Sequence, residues 1–303
     1  MPHASPVPFL CRPAPGLTLR LVLEVFKLRI GLAIGLATLL GLAVTPGSPL
    51  PAWRAAVLCL AVTMASAAAG AFNQLAEREL DAKMRRTRNR AFVTGKLTPG
   101  PAWLGAIAAL GALAIGLAGI AANLTSALYA FLGAFTYAVV YTIWLKRRTR
   151  WNIVVGGLAG SFAVLAGAAA VSPNLLEPLP LMFAAVLFLW TPPHFWSLAI
   201  AFHDDYAAAK VPMLPVIVGD ERAARTIFAC AALLVAASLV PAILGMGPIY
   251  LAVAVLVGLH FLRKSAQLTR SPDHDHAMAN FRASLAYLTI LIGAAIADSA
   301  LRA

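Results

Sequence analysis

Nine long apolar runs constrain the fold of this chain more than any other feature of its sequence. They cover approximately residues 28–46, 55–75, 102–121, 125–145, 152–171, 179–201, 224–244, 248–262 and 281–301. A helix needs roughly 20 mainly apolar residues to cross the hydrocarbon core of a bilayer, and most of the runs have that length. Charged residues make up only 12% of the chain, against about 25% in soluble domains. The sequence therefore predicts an all-α, multi-pass membrane protein with nine transmembrane helices.

The positive charges predict how these helices are oriented. Of the 24 Lys and Arg residues, 22 lie in the N-terminal segment or in the loops after the second, fourth, sixth and eighth runs, and only Arg54 and Arg302 lie elsewhere. Because Lys and Arg are retained on the cytoplasmic side, we expect a cytoplasmic N-terminus and an odd number of spans. This pattern accounts for the net charge of +12, so no nucleic-acid partner is expected.

The order of polar segments suggests one membrane domain. Residues 1–24 are rich in Pro and are predicted to be a disordered cytoplasmic tail, and residues 25–303 a single transmembrane domain. The long cytoplasmic loops after the second and sixth runs both open with acidic residues. This similarity suggests a duplicated four-helix unit followed by a ninth helix, an arrangement that often places a site at the interface of the repeats.

The charged stretch after the second run has a spacing that suits metal binding. Asn73, Glu77 and Asp81 are four residues apart, so they share one face of a helix. One amide oxygen and two carboxylates suit Mg²⁺, and the neighbouring cations suit a polyanionic ligand such as a diphosphate. A solvated helix end with ion pairs such as Glu79 to Lys83 fits the same pattern. The stretch alone leaves both interpretations open.

Polar residues inside apolar runs are energetically unfavourable in the membrane and are often functional. The fourth run ends in Tyr141 and the pair Lys146 and Arg147, where snorkelling of the lysine is a sufficient explanation for part of the pattern. The sixth run contains Trp-Thr-Pro-Pro-His-Phe-Trp, in which His194 follows two prolines. That histidine fits either a satisfied packing residue or a pocket for a macrocycle or metal.

Four segments of the chain resemble the signature blocks of one membrane enzyme family. NQLAERELDAKMRRTRNR, YTIWLKRRTRWNIVVGGLAG, LWTPPHFWSLAIAFHDDY and KVPMLPVIVG are similar to those of the protoheme IX farnesyltransferase, or haem O synthase, branch of the UbiA-type membrane prenyltransferases. The resemblance extends over about residues 25–300. It implies nine helices around a central cavity in the bacterial cytoplasmic (inner) membrane, Mg²⁺ as cofactor, and farnesyl diphosphate and haem b as substrates.

The resemblance also implies roles for individual residues. The implied catalytic and metal-binding residues are Asn73, Glu77, Asp81, Asp204 and Asp205. The implied substrate-binding residues are Lys83, Arg86, Arg90, Tyr141, Lys146, Arg147, His194, Phe195, Trp196, Tyr206 and Lys210. Two positions depart from the family pattern, since Glu77 replaces an Asp and Lys210 replaces a Gly.

The implied reaction transfers the farnesyl group of farnesyl diphosphate to a vinyl group of haem b, which gives haem O for terminal oxidase assembly. Haem A synthase and oxidase assembly proteins are the implied partners. Two alternatives remain at this point. One is a related prenyltransferase that acts on an aromatic or quinone precursor, and the other is a haem transporter or scaffold without enzymatic activity.

Overall fold

The computed structural model describes residues 19–302, and within that range the chain forms helices and no strand. The helices are α1 Leu19–Val25, α2 Leu28–Val44, α3 Ala52–Ala76, α4 Arg78–Asp81, α5 Pro101–Ala121, α6 Leu124–Phe135, a π-helix Thr136–Leu145, α7 Asn152–Gly156, α8 Leu158–Ala168, α9 Pro178–Ala201, α10 His203–Ala208, α11 Leu214–Val218, α12 Asp220–Ile243, α13 Pro248–Arg270 and α14 His274–Ala300. The predicted all-α fold is confirmed for these residues. Of the predicted tail, residues 1–18 lie outside the described range and residues 19–24 belong to α1.

All nine apolar runs are helical. Within residues 19–302, seven helices are long and apolar enough to cross a membrane: Ala52–Ala76, Pro101–Ala121, Leu124–Leu145, Pro178–Ala201, Asp220–Ile243, Pro248–Arg270 and His274–Ala300. The first and fifth runs correspond to the shorter apolar helices Leu28–Val44 and Asn152–Ala168. The chain is thus a multi-pass membrane protein.

The last two helices differ from the prediction in their boundaries. α13 continues to Arg270 and α14 begins at His274, so three residues connect them. Arg263, Lys264 and Arg282, which were expected in a cytoplasmic loop, lie on these helices. The side chain of Asp273 accepts a 2.9 Å hydrogen bond from the backbone N–H of His276, and this N-cap fixes the start of α14. Hydrophobicity alone misses such helical turns because their side chains are polar.

α9 lies in the interior of the bundle, where it packs against α8, α12 and α14. Its residues in the second half, including both prolines of the Pro-Pro pair, are mostly buried. The opposite situation holds at the periphery, where Ile120, Leu124 and Ile243 each expose at least 80% of their surface. Large apolar side chains on the outer surface of a bundle face lipid in a membrane, whereas they would be unfavourable in water.

Candidate active site

Asn73, Glu77 and Asp81 lie on one buried face where α3 passes into α4. α3 ends at Ala76, yet the backbone N–H of Glu77 bonds to the Asn73 carbonyl at 3.0 Å and the N–H of Asp81 to the Glu77 carbonyl at 2.8 Å. The three residues are 3%, 3% and 2% exposed, while Arg78 is exposed. The four-residue spacing therefore survives the break between the helices, and the three oxygen-bearing side chains point inward together.

Each buried carboxylate on this face has a basic partner. Nζ of Lys146 lies 2.5 Å from Oε2 of Glu77, and a guanidinium nitrogen of Arg90 lies 2.5 Å from Oδ2 of Asp81. Removal of either basic partner would strongly destabilise the folded protein, because it would leave an unpaired buried charge. Among residues 19–302, no three His, Cys, Asp or Glu side chains form a metal-binding group. The convergence of all the predicted ligands on one metal ion stays a prediction.

The second acidic segment contacts the first through its buried member. Asp205 on α10 is 4% exposed and accepts from Nε of Arg85 at 3.1 Å and from the backbone N–H of Arg86 at 3.3 Å. Its neighbour Asp204 is exposed. The two acidic loops that the sequence placed on the same membrane face thus meet, and only one of the two aspartates takes part.

Lys27 belongs to the site, although the sequence assigned it to membrane topology. Its Nζ donates to Oδ1 of Asn73 at 2.6 Å and to the hydroxyl of Tyr137 at 3.1 Å. Burial, followed by the charge of Arg90, lowers the pKa of Lys27 from 10.5 to about 7. Its backbone has φ of 48°, a conformation rare outside glycine. The only signal for this role in the sequence was a lysine next to an apolar run, and snorkelling explains that equally well.

The π-helix that closes the fourth run positions several of these groups. At its C-terminal end, the backbone N–H of Lys146 bonds to the carbonyl of Tyr141, five residues back, at 2.9 Å. The hydroxyl of Thr142 accepts from the amide of Asn73 at 3.0 Å, which ties this segment to α3. The rings of Tyr137 and Tyr141 stack with centroids 5.8 Å apart, and Lys146 lies 5.6 Å above the Tyr141 ring. π-helical turns are rare and frequently occur at functional sites.

The close approach of α7 to the π-helix depends on Gly156. A Cβ at this position would lie 2.9 Å from Cδ2 and 3.3 Å from Cγ of Tyr141. The absent side chain therefore lets the tyrosine ring occupy the space above α7.

Four aromatic residues predicted to bind substrate gather in one apolar cluster. Trp196 and Tyr206 are buried members, and Tyr141 and Phe195 are partly buried and pack against it. We call these four side chains the aromatic cluster. Nε1 of Trp196 is buried and has no hydrogen-bond partner among residues 19–302. The cluster lies directly beside the charged face, since Leu80 of α4 belongs to the same packing unit.

His194 lies between α9 and α14. Its ring stacks between Trp190 and Phe281, with centroid distances of 4.1 and 4.3 Å, and its Nδ1 is 2.7 Å from the hydroxyl of Ser284. Since that hydroxyl donates to the carbonyl of Phe281 at 2.7 Å, Nδ1 is the donor to Ser284 and Nε2 is the unprotonated nitrogen. The structure thus gives His194 well-defined packing partners, and its predicted contact with substrate stays a prediction.

The remaining predicted cations lie nearer the surface. Lys83, Arg147 and Lys210 border a pocket of about 210 Å³ beside α4. Arg86 is also exposed, and only its backbone contributes to the contact with Asp205. Of the predicted cations, Arg90 and Lys146 are therefore partly buried beside the carboxylates, whereas Lys83, Arg147 and Lys210 border this pocket.

A model described as the UbiA prenyltransferase family matches residues 34–291. The chain belongs to the UbiA prenyltransferase family. Its sequence relatives include protoheme IX farnesyltransferase 2 of Paramagnetospirillum magneticum, which is 52% identical over 92% of this chain and 97% of the relative. Protoheme IX farnesyltransferase of Synechococcus elongatus is 42% identical over 91% and 87%. The branch that the four sequence blocks indicated is thereby confirmed.

Solved structures share the UbiA fold with this chain. A structure of digeranylgeranylglyceryl phosphate synthase superimposes with a TM-score of 0.75 at 17% identity, over 93% of this chain and 98% of that one. A UbiA homologue from Archaeoglobus fulgidus bound to DMAPP and Mg²⁺ gives a TM-score of 0.66 at 17% identity, over 89% and 99%. At these identities the comparison shows the fold alone.

Proposed function

We propose that this UbiA prenyltransferase transfers the farnesyl group of farnesyl diphosphate to a vinyl group of haem b, which yields haem O and diphosphate. The observation that carries the proposal is the 52% identity, over nearly the whole chain, to a relative named protoheme IX farnesyltransferase 2. The charged face next to an aromatic cluster supports it, because the reaction joins a diphosphate ester to two large apolar groups.

The residues of the charged face fit a Mg²⁺ ion. Oε1 of Glu77 is buried and has no hydrogen-bond partner among the described residues, although Oε2 is paired with Lys146. The amide oxygen of Asn73 and the carboxylates of Asp81 and Asp205 complete a set of oxygen donors that Mg²⁺ accepts. We propose these four side chains as its ligands. When bound, Mg²⁺ would neutralise part of the charge of the diphosphate.

The cations of the site assist departure of the diphosphate. Ionisation breaks the bond between C1 of the farnesyl group and the bridging oxygen, and the electron pair leaves with the diphosphate. Arg90 and Lys146 are paired with the buried acids Asp81 and Glu77, and Lys27 donates to the amide oxygen of the neighbouring Asn73. Positive groups fixed where negative charge develops stabilise the transition state without reorganisation.

The aromatic cluster receives the allylic cation and excludes water from it. Faces of aromatic rings attract cations, and Tyr141 already has the ammonium of Lys146 above its ring. The vinyl group of haem b donates its electron pair to C1 of the farnesyl cation and forms the new carbon–carbon bond. A water molecule then adds to the resulting carbocation and loses a proton, which leaves a hydroxyl on the new side chain.

The membrane arrangement follows from the same helices. We propose nine transmembrane segments, the two shorter ones being α2 and α7 with α8, and a cytoplasmic N-terminus in the bacterial inner membrane. The distribution of Lys and Arg supports this orientation. In this orientation the charged face is directed toward the cytoplasm. Farnesyl diphosphate is soluble enough there to enter the site. We further propose that the product passes to haem A synthase or to terminal oxidase assembly.

The decisive experiment is mass analysis of haem extracted after incubation of the purified chain with haem b, farnesyl diphosphate and Mg²⁺. We expect haem O with the wild type and none with Asp81→Ala. This substitution removes a proposed Mg²⁺ ligand and leaves Arg90 without its carboxylate partner. Asp275→Ala removes an exposed carboxylate and is the matched control, with wild-type conversion expected. Prenylation of an aromatic or quinone precursor without haem O, or conversion that persists after Mg²⁺ chelation, would contradict the proposal.

A further inference from the structure

The basic residues near the active site form two sets with different surroundings. The inner set, Lys27, Arg90 and Lys146, is partly buried and is bonded to Asn73, Asp81 and Glu77. The second set, Lys83, Arg147 and Lys210, is exposed and borders the pocket of about 210 Å³. Within residues 19–302 none of these three cations forms an ion pair. We call them the outer cations.

The pocket that the outer cations border is not lined by the buried acids Glu77 and Asp81. The pocket includes Glu79, which is exposed, whereas Glu77 and Asp81 on either side of it are buried. One face of the α4 segment thus carries the acids that pair with the inner set, and another face carries Glu79 at the pocket. One carboxylate and three cations give the pocket a formal charge of +2, and Glu79 is itself 4.0 Å from Arg78. The pocket thus suits a ligand with about two negative charges.

The floor of the pocket joins it to the aromatic cluster. Leu80 and Ala209 line the pocket and are also buried members of the apolar unit that contains Trp196 and Tyr206. A ligand with an apolar body and an anionic edge would therefore find both of its surfaces matched here. An isolated anion such as diphosphate would not be stabilised by contact with these apolar residues.

Lys210 occupies a position whose backbone favours glycine. Its φ is 53°, in the left-handed region that side chains with a Cβ adopt with difficulty. A lysine at this position is less favourable for the backbone than glycine, so its presence indicates that the ammonium group contributes something that glycine cannot supply. Lys210 adds this ammonium group to the lining of the pocket.

We propose that the outer cations bind the two propionate groups of the haem substrate. This inference rests on the proposed function and assigns a separate place to the haem carboxylates. In protoporphyrin IX the two propionates lie on the half of the macrocycle opposite the vinyl groups. A vinyl group placed against the farnesyl cation therefore directs the propionates away from the diphosphate, and a second set of cations is required.

The test is optical titration of the purified, detergent-solubilised chain with haem b and with haem b dimethyl ester, in which both propionates are methylated. We expect the wild type to bind haem b at least tenfold more tightly than the ester. Lys210→Gly, Lys83→Ala and Arg147→Ala should each weaken haem b binding about two- to fivefold, the range for exposed charge pairs, with ester binding unchanged. Arg148→Ala removes an exposed cation that does not border the pocket, and it should bind both ligands as the wild type does.

Lys210→Gly separates a binding role from a structural one. Removal of the strained backbone should leave its melting temperature equal to or above that of the wild type, while haem b affinity falls. The KM for farnesyl diphosphate should stay within twofold of the wild type in all the outer-cation variants. Equal affinity of the wild type for haem b and its ester would overturn the proposal, as would a raised KM for farnesyl diphosphate with unchanged haem binding.

These readouts also separate this proposal from the proposed function. Discrimination between haem b and the ester without haem O formation would support the propionate site and contradict the proposed reaction. Haem O formation without such discrimination would support the reaction and contradict the propionate site.

Discussion

The substitution Gly156→Ala tests whether the position of Tyr141 controls the reaction. The new methyl group would lie 2.9 Å from Cδ2 of the ring, and carbon atoms without strain are about 3.5 Å or more apart. The ring must therefore move by about 0.5 Å. This shift would disturb its stacking on Tyr137, whose ring centroid is 5.8 Å away, and its contact with Lys146, whose Nζ lies 5.6 Å from the ring centroid.

The expected magnitudes differ for stability and for activity. Overpacking of a methyl group costs about 1–3 kcal/mol, and alanine in place of glycine in a helix returns roughly 0.5–1 kcal/mol. The net loss of stability should therefore be at most about 2.5 kcal/mol. Since misplacement of a reacting group by about 1 Å can cost about 10²-fold in rate, a shift of half that size should reduce haem O formation about tenfold.

The assay is the initial rate of haem O formation, followed by mass analysis, together with a melting curve in detergent. Gly160→Ala is the control, because its added Cβ would meet Leu187 Cδ2 at an ordinary 3.7 Å. That variant should keep the wild-type rate. If Gly156→Ala also keeps the wild-type rate and its melting temperature falls, the Tyr141 ring has only a packing role and our interpretation of the π-helix is wrong.

Three further substitutions test the contacts of other site residues. Lys27→Met should reduce haem O formation at least tenfold because it removes the amine that donates to Asn73 and Tyr137. Arg29→Met, at an exposed position, should keep the wild-type rate, and equal rates for the two variants would show that Lys27 is not part of the site. Asp205→Asn should reduce the rate more than Asp204→Asn, since only Asp205 is buried and paired with Arg85; the reverse order would refute this assignment. His194→Ala should lower the melting temperature by the equivalent of about 2–4 kcal/mol, because it removes a stacked ring and leaves Ser284 without its partner. An unchanged melting temperature together with a lower affinity for haem b in the titration would show that the ring faces substrate instead.

The apolar runs alone determined the helical architecture. Every predicted run is helical in the structure, because the requirement to bury backbone polar groups in lipid leaves helices as the local solution. The spacing of Asn73, Glu77 and Asp81 likewise predicted a shared face, since residues four apart on a helix are neighbours whatever surrounds them. Signals of this kind are contained within one segment, so the sequence carries them directly.

Only the tertiary structure decided which groups meet. Lys27 and Asn73 are 46 residues apart and Lys146 and Glu77 are 69 apart, so these pairs exist only after the helices pack. The same packing turned Asp205 inward and left Asp204 exposed, although the two are adjacent and chemically identical. The π-helix that positions Lys146 depends in turn on contacts with α3 and α7, such as the hydrogen bond from Asn73 to Thr142. Local sequence cannot encode a choice among many cations and carboxylates on one membrane face, because that choice follows from the free energy of the packed bundle and the desolvation of the groups inside it.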